Sequence, residues 1–208
     1  MPPKARFTKQ MIEDAAFELA KRRGIEAVAA REVAKALDMT VTPIFGCFTN
    51  MSELKQTVYE RAKAEFQAYL RGCLDYTPSF QAFCLRWVCY VAENQNLYKL
   101  LMQRMWMPNE QRGVLPELEA PLLEELMELF ALSREAASEL VEHMLIYSSG
   151  LCTLLQQGNV PLSEADISRR LSQLCGSLAV AKSLAAGTLS VSDAERLYRT
   201  AEIRPKHS

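Results

Sequence analysis

The sequence has few of the residues on which metal sites, disulfide frameworks and membrane segments depend. Only two histidines occur among its 208 residues, and the six cysteines include no C-x-x-C pair. These counts argue against a zinc site, a thiol redox motif and most triad chemistry, and they favour reduced thiols in a cytoplasm. No run of 18 uncharged apolar residues is present, so no membrane-spanning helix is expected. The first residues open no apolar stretch, and we therefore expect no secretory signal.

The chain also lacks a strong excess of either charge. Its formal net charge is −1, so the whole molecule does not bind nucleic acid or membranes through charge alone. Residues 1–55 contain nine basic and seven acidic side chains, which leaves a net charge of −3 on the rest. This asymmetry has the sign expected of an amino-terminal nucleic-acid-binding region, although it is small.

Apolar residues recur at helical spacing along most of the chain. The first run falls at i, i+3, i+4 and i+7: Ile12, Ala15, Ala16 and Leu19. Because glycine and proline are scarce and no run alternates as a strand would, the pattern predicts an all-α fold. The helices are expected over about residues 8–24, 30–37, 42–48, 50–73, 79–94, 97–105, 118–130, 134–156 and 164–186, with a short one after 192.

Capping residues predict several of these helix ends. Thr8 is expected to cap the first helix, and Gly24 to end it. Either Thr40 or Thr42 is expected to cap the third helix. Two long helices open with capping-box spacing: Asn50 with Glu53, and Ser163 with Asp166.

The last two large helices, over 134–156 and 164–186, have little polar face. A helix that is apolar all round must be buried all round, which favours a second copy of the chain as part of the covering. We expect a homodimer through a four-helix interface, with two helices from each chain. The alternative is a monomer core wrapped by the other helices. Small residues in these helices would allow close approach: Ser148, Ser149, Gly150, Gly176, Ser177 and Ala179.

Residues 12–54 have the spacing of a helix-turn-helix unit. Two short helices are joined at 37–40, and Ala34 is small where they must pack closely. Ile44 and Phe48 direct the inner face of the third helix toward the core. Such a unit presents its second short helix to the major groove of DNA.

Many apolar and turn residues between Phe7 and Tyr59 fall, at unbroken spacing, in the order of a known family. They are Ile12, Ala15-Ala16, Leu19, Gly24-Ile25-Glu26-Ala27, Arg31-Glu32-Val33-Ala34, Leu37-Asp38-Met39-Thr40, Ile44-Phe45, Phe48 and Leu54. With these residues the stretch resembles the TetR-type transcriptional regulators. The resemblance covers about a quarter of the chain. It implies a DNA-binding domain over 1–55 and a helical ligand-binding and dimerisation domain over 56–208.

The sequence departs from the family pattern at three positions. The usual turn glycine is Asp38, which adopts a left-handed conformation at some cost. The frequent tyrosine of the third helix is Phe45, and a common lysine at the start of the fourth helix is Met51. The third helix also contains no lysine or arginine, so an arginine–guanine contact cannot come from it.

The resemblance and the residue types together predict the DNA contacts to a palindromic duplex. Arg31 matches a position that reads bases in some family members, and it is the candidate for reading guanine. Lys4, Arg6 and Lys9 form a basic arm for phosphates or the minor groove, the alternative being a solvated terminus. The remaining candidates lie in and around the third helix: Thr40, Val41, Thr42, Phe45, Cys47, Thr49 and Asn50.

For the second domain the resemblance implies a small-molecule effector bound between helices. The family's usual behaviour is repression with release of DNA when the effector binds. Each candidate for the pocket has the alternative of being a core residue, and nothing identifies the effector. The candidates offer aromatic walls and a few polar tips: Trp87, Tyr90, Tyr98, Met105, Trp106, His143, Met144 and Tyr147.

Two other classes of function compete with a regulator. A helical-bundle oxidase with carboxylate-bound metals needs Glu-x-x-His on two helices, and neither histidine has a glutamate three residues before it. We therefore expect no enzyme, no cofactor and no metal. The other alternative is a helical interaction adaptor that has lost DNA binding, which the uncharged third helix suggests. An oxidation switch at Cys47 is a further, weaker hypothesis than a plain small side chain.

Overall fold

The computed structural model describes residues 7–105, 115–158, 162–190 and 193–206. The structure is 80% helical with almost no sheet, which confirms the predicted all-α class. Two-residue strands β1 (Tyr76–Thr77) and β2 (Arg204–Pro205) pair antiparallel, and short 3₁₀ helices cover Ile25–Ala27 and Gly72–Asp75. The α-helices are α1 (Lys9–Arg23), α2 (Ala30–Ala36), α3 (Thr42–Cys47), α4 (Met51–Arg71), α5 (Ser79–Glu93), α6 (Gln95–Met105), α7 (Pro116–Phe130), α8 (Arg134–Gln156), α9 (Glu164–Ala185) and α10 (Ala194–Thr200).

The helix ends agree with the predictions to within about two residues, and most caps form as expected. The hydroxyl of Thr8 accepts the amide of Met11 at 3.2 Å. Ser163 and Asp166 form a capping box in which the serine hydroxyl accepts the Asp166 amide at 3.1 Å.

The expected cap of the third helix is wrong. Neither Thr40 nor Thr42 caps α3, whose N-cap residue is Val41 with no side-chain hydrogen bond. The physical reason lies in the first turn. Pro43 has no amide hydrogen, and the Ile44 amide already donates to the Val41 carbonyl at 3.1 Å. Neither residue therefore offers a free backbone amide that a threonine hydroxyl could accept.

The described residues divide into two compact units. The first contains the residues up to Phe66 together with α6, and the second contains Gln67–Glu93 and the described residues from Leu115 onward. In the first unit every helix contributes fully buried apolar side chains: Ile12 and Phe17 from α1, Val33 from α2, Ile44 from α3, Leu54 and Val58 from α4, and Leu97 and Leu101 from α6.

Polar contacts at the surface of the first unit join α1 to its neighbours. The Arg61 guanidinium lies 4.1 Å from the ring centroid of Phe17 and pairs with Asp14 at 2.5 Å. Asn96 on α6 donates its amide hydrogen to the Lys21 carbonyl at 3.1 Å, which satisfies one of the last carbonyls of α1. These contacts orient helices whose buried faces supply most of the stability.

The second unit packs α5 against α8 and α9, with α7 beside α5 and α8 and with α10 on α9. Gly176 permits the α10 contact, because a Cβ at that position would lie 2.9 Å from the Tyr198 carbonyl oxygen. Ser148, Gly176 and Ala179 are buried within this unit. These three small residues thus permit close packing within one chain, as Gly176 does with Tyr198 of α10, and they are not exposed to a second copy.

The interior of the second unit contains several polar side chains and thiols. Gln81 donates to the Cys175 sulfur at 2.8 Å, and its Oε1 atom is buried with no hydrogen-bond partner among the described residues. Burial raises the pKa of Cys84 and Cys89 to about 12. Such thiols are protonated and inert at neutral pH.

Candidate nucleic-acid interface

A tight turn joins α2 to α3. The turn is a Schellman motif in which the Met39 amide donates to the Ala34 carbonyl at 3.0 Å and the Asp38 amide donates to the Lys35 carbonyl at 3.3 Å. Asp38 occupies the left-handed position with a φ of 50°. The expected left-handed conformation of Asp38 is thus confirmed, and the turn closes without the glycine that such a position favours.

The helix α3 buries one face and exposes the other. Ile44 is fully buried and Phe48, which follows the helix, is 2% exposed. On the opposite side Phe45 is 51% exposed and Val41 is 38% exposed. The remaining predicted contact residues, Thr40 and Thr42, are also exposed, while Cys47 is half-buried.

Exposed cations lie on the elements next to α3. Arg31 and Lys35 are one turn apart on α2, and neither makes an ion pair in the part of the chain that the structure describes. Lys9 lies at the start of α1 with its Nζ atom 4.8 Å from the ring centroid of Phe48. By contrast, Arg23 pairs with Glu32 at 2.5 Å. Lys9, Arg31 and Lys35 are thus exposed cations that remain available to an anion.

The N-terminus of α4 is occupied by its own glutamate. Asn50 accepts the Glu53 amide at 2.9 Å, and the Thr49 amide donates to Glu53 Oε2 at 2.7 Å. The hydrogen bonds from Thr49 are the main cause that lowers the pKa of Glu53, and Lys9 adds a small coulombic contribution. The backbone amide of Thr49, one of the candidate DNA contacts, is therefore satisfied by a carboxylate, which a phosphate would have to displace.

Two residues of the predicted basic arm, Lys4 and Arg6, lie outside the described residues. The other predicted DNA-contact residues all belong to the first unit: Lys9, Arg31, Thr40, Val41, Thr42, Phe45, Cys47, Thr49 and Asn50. Sequence reasoning passed over Lys35 and Glu53 as members of this surface. The i, i+4 spacing of Arg31 and Lys35 on a helix was the signal for the first.

The predicted effector residues occupy several different environments. Tyr90 and Met144 are buried in the second unit, whereas Trp87 and Tyr147 are half-buried and His143 is exposed. Tyr98 is buried in the first unit, with its ring 6.3 Å from that of Phe66. The side chain of Met105 and the whole of Trp106 lie outside the described residues. The helices α5 and α8 pack together and bring Tyr90 and Met144 into one core.

Two cavities in the second unit involve other residues. The larger one has a volume of about 640 Å³, and the smaller one of about 40 Å³ contains Arg86 and Glu164. None of the predicted effector residues lines either cavity. The larger cavity is lined by Thr77, Leu129, Glu195, Arg196, Arg199, Thr200, Glu202 and Arg204.

Both α8 and α9 expose apolar side chains. Ile146 is 63% exposed, Leu154 is 41% exposed and Leu184 is 39% exposed. Gly150 and Ser177 are also exposed, and a Cβ at Gly150 would meet nothing within 4 Å. Large apolar side chains left in water beside small residues are typical of a surface that another protein covers.

Among residues 7–105, 115–158, 162–190 and 193–206, no group of three or more acidic, histidine or cysteine side chains is arranged to hold a metal ion. The same residues include no helix with the length and hydropathy needed to cross a bilayer. Comparisons with protein-family models, with curated proteins and with solved structures gave no match for the chain.

Proposed function

We propose that the chain is a sequence-specific DNA-binding transcriptional regulator, as its resemblance to the TetR-type regulators implies. The observation that carries this proposal is the geometry around α3. The helix follows a tight turn at Asp38, buries Ile44 against the core and leaves the opposite face open. Lys9 and Arg31 lie on neighbouring elements without an ion pair, which suits a polyanionic partner.

Within this proposal the contacts divide into two kinds. Arg31 reads a guanine edge, since its guanidinium matches the O6 and N7 acceptors of that base. Lys4, Arg6 and Lys9 neutralise phosphates and set the position of the duplex without reading sequence. Thr40 and Thr42 supply hydroxyl groups to bases or phosphates near the start of α3.

The second unit provides the dimer in this proposal. The apolar face of α8 and α9 pairs with the same face of a second copy, which gives a four-helix interface and two α3 helices per molecule. Two identical reading helices require a palindromic duplex. An effector that binds in the second unit releases DNA by favouring a conformation of the protein with lower affinity for DNA. The coupling free energy between effector binding and DNA binding is typically about 1–3 kcal/mol.

Selection of bound duplexes from a random pool tests the DNA-binding function. The expected product is a palindrome whose half-sites lie about 34–36 Å apart or further. Arg31→Ala should cost about 1–3 kcal/mol and relax the preference at one base pair, whereas Lys4→Ala should weaken binding to all sequences alike. Equal losses of Arg31→Ala on selected and random duplexes would refute base reading by Arg31.

Analytical ultracentrifugation tests the dimer separately. Ile146→Glu combined with Leu154→Glu should convert the dimer to a monomer at micromolar concentration, because four charges would be buried across the interface. Leu74→Glu is the matched control, since Leu74 is another exposed leucine of the second unit at 43% exposure. If the unsubstituted chain sediments as a monomer, the dimer proposal is wrong.

A second candidate function is a helical interaction adaptor that does not bind DNA. The observations that favour it are the uncharged α3 and the Glu53 carboxylate at the Thr49 amide. Binding of the chain to random duplex at two salt concentrations separates the candidates. A regulator loses affinity steeply as salt rises, whereas an adaptor binds at neither concentration.

A further inference from the structure

The exposed face of α3 is apolar where a base-reading helix would ordinarily carry hydrogen-bonding side chains. Val41 and Phe45 are four residues apart, so their side chains lie on the same face of the helix. Both are well exposed, and Phe45 leaves about half of its surface in water. A Cβ at Gly46 would meet nothing within 4 Å, so α3 is also open to solvent at that position.

Folding of the first unit does not account for Phe45. The buried contacts of α3 come from Ile44 and from Phe48. An exposed phenylalanine adds little to the stability of the unit and costs solubility. Its position on the open side of α3 therefore calls for a partner that covers it.

The chemistry of α3 limits what such a partner can present. Between Thr40 and Phe48 no residue carries an amide, ammonium, guanidinium or carboxylate side chain, so bidentate pairing with guanine or adenine is impossible from this segment. The thymine C5-methyl is the apolar group that a base pair presents in the major groove. Phenylalanine and the threonine methyl are side chains that contact it.

The charges around α3 favour DNA over an apolar protein surface as the occupant. Arg31 and Lys35 lie on α2, which leads into the first turn of α3. Lys9 lies against Phe48, directly after the last turn. Exposed cations on α2 and at the start of α1, beside an uncharged apolar helix, suit a groove lined by phosphates, whereas an apolar protein partner would have to desolvate them.

We propose that the Phe45 ring, with the Val41 side chain, reads thymine C5-methyl groups in the major groove, so that each half-site contains thymines opposite α3. This inference rests on the proposed DNA-binding function and adds its base preference. The two residues then read different bases: Arg31 reads guanine through hydrogen bonds, while Phe45 reads thymine through apolar contact. Arg31 and Phe45 therefore respond to different chemical changes in the same duplex.

Deoxyuridine substitution tests the proposal, because uracil differs from thymine only by the missing methyl. Replacing single thymines of the selected duplex by deoxyuridine should weaken binding about three- to fivefold at each contacted position. The variant Phe45→Ala should bind the thymine duplex more weakly and should no longer distinguish thymine from uracil. Binding is measured by fluorescence anisotropy, and the thermal midpoint of each variant is measured by circular dichroism.

Two variants serve as controls. Arg31→Ala should lower affinity but keep the thymine–uracil difference, because it removes a different contact. Met11→Ala should also keep that difference, since Met11 is an exposed apolar residue on α1 at 39% exposure. Loss of the difference in either control would overturn the assignment to Phe45.

The outcomes separate this inference from the proposed function. If the chain binds no duplex at any salt concentration, both are overturned. If it binds a selected duplex that lacks thymine in the half-sites, or binds thymine and uracil equally, only the methyl-reading proposal is overturned. A thymine–uracil difference that persists in Phe45→Ala overturns the role of Phe45.

Discussion

The two compact units each expose apolar side chains, but the surroundings of those side chains differ. In the first unit Phe45 lies on a six-residue helix and Val41 is the N-cap residue of that helix, with unpaired cations on the adjoining elements. In the second unit Ile146 and Leu154 lie on a 23-residue helix beside small residues. The two exposed apolar surfaces thus differ in the charge beside them, which is the reason why we propose a different partner for each.

The interiors of the two units differ as well. The buried polar side chains in the described ranges, Ser79, Gln81, Ser148 and Ser183, all belong to the second unit. The five buried cysteines belong to it too, whereas Cys47 is half-buried in the first unit. The first unit thus has an apolar core with ion pairs outside it, and the second places polar groups and thiols within its helix packing.

The largest expected contrast is in thiol reactivity. Iodoacetamide at pH 8 should label Cys47 in the native chain while the other five cysteines react at least about a hundredfold more slowly, because they are buried and burial raises the pKa of groups such as Cys73, to about 11. Mass spectrometry of the labelled protein measures the number of labelled cysteines. In guanidinium chloride all six should react, and a second label entering the native chain would contradict the burial of the second unit's thiols.

The next largest effect separates two neighbouring residues of α3. Ile44→Ala should destabilise the first unit by about 2–5 kcal/mol, since it removes a fully buried side chain. Phe45→Ala should change the free energy of unfolding by less than about 0.5 kcal/mol, because the ring is half in water. Urea unfolding followed by circular dichroism measures both, and similar losses would mean that Phe45 belongs to the core.

A smaller effect is expected at the two left-handed residues, one in each unit. Asp38 and Ala131 both have a φ of 50°. Ala131→Gly should stabilise the second unit by about 1 kcal/mol, because the Cβ atom of alanine is strained in the left-handed conformation and glycine has no Cβ. Asp38→Gly should gain less, since aspartate tolerates it better. Thermal unfolding of the two variants checks the order, and a loss of stability at Ala131→Gly would contradict the assigned conformation.

The smallest expected effect is a dependence of stability on acid pH in both units. Hydrogen bonds from Arg61 to Asp14 and from Arg23 to Glu32 lower the pKa of each carboxyl in the first unit, and one from Lys182 lowers that of Glu139 in the second. A lowered pKa in the folded state adds stability that is present above the unfolded pKa of about 4 and is lost as the pH falls through the folded value. The thermal midpoint should therefore be flat from pH 8 to about 5 and should fall below about pH 4.

The same acid effect should weaken in salt. These carboxyl groups are exposed, and in 1 M sodium chloride the Debye length falls to about 3 Å, so their attraction to the cations is weakened. A midpoint that stays constant down to pH 3 would show that the ion pairs contribute nothing measurable to either unit.

Local sequence signals were sufficient for the helices and most of their caps. The period of apolar residues predicted helices such as α8, and short-range hydrogen bonding made Thr8 and Ser163 recognisable as caps. The cap of α3 could not be predicted in this way. There the missing amide of Pro43 and the backbone bond of Ile44 outweighed the general preference for threonine.

The candidate site was predictable in its residue types and less so in its arrangement. The sequence shows that α3 carries no cation and predicts that Ile44 faces the core, but only the packing shows how much of Phe45 stays in water. The occupation of the Thr49 amide by Glu53 likewise depends on how the chain turns between α3 and α4. The effector residues were the least predictable. Aromatic residues occur both in the walls of ligand pockets and in packed cores, so their presence in the sequence does not distinguish the two.

The sequence by itself determined the helical class, the positions of the helices and the left-handed turn at Asp38, because these follow from interactions within a few residues. The tertiary structure alone decided which small residues are buried in helix contacts inside the second unit and which apolar side chains remain exposed to water. Gly176 is covered by Tyr198, whereas Gly150 is open. Such differences arise from contacts between segments far apart in the chain, and local spacing carries no information about them.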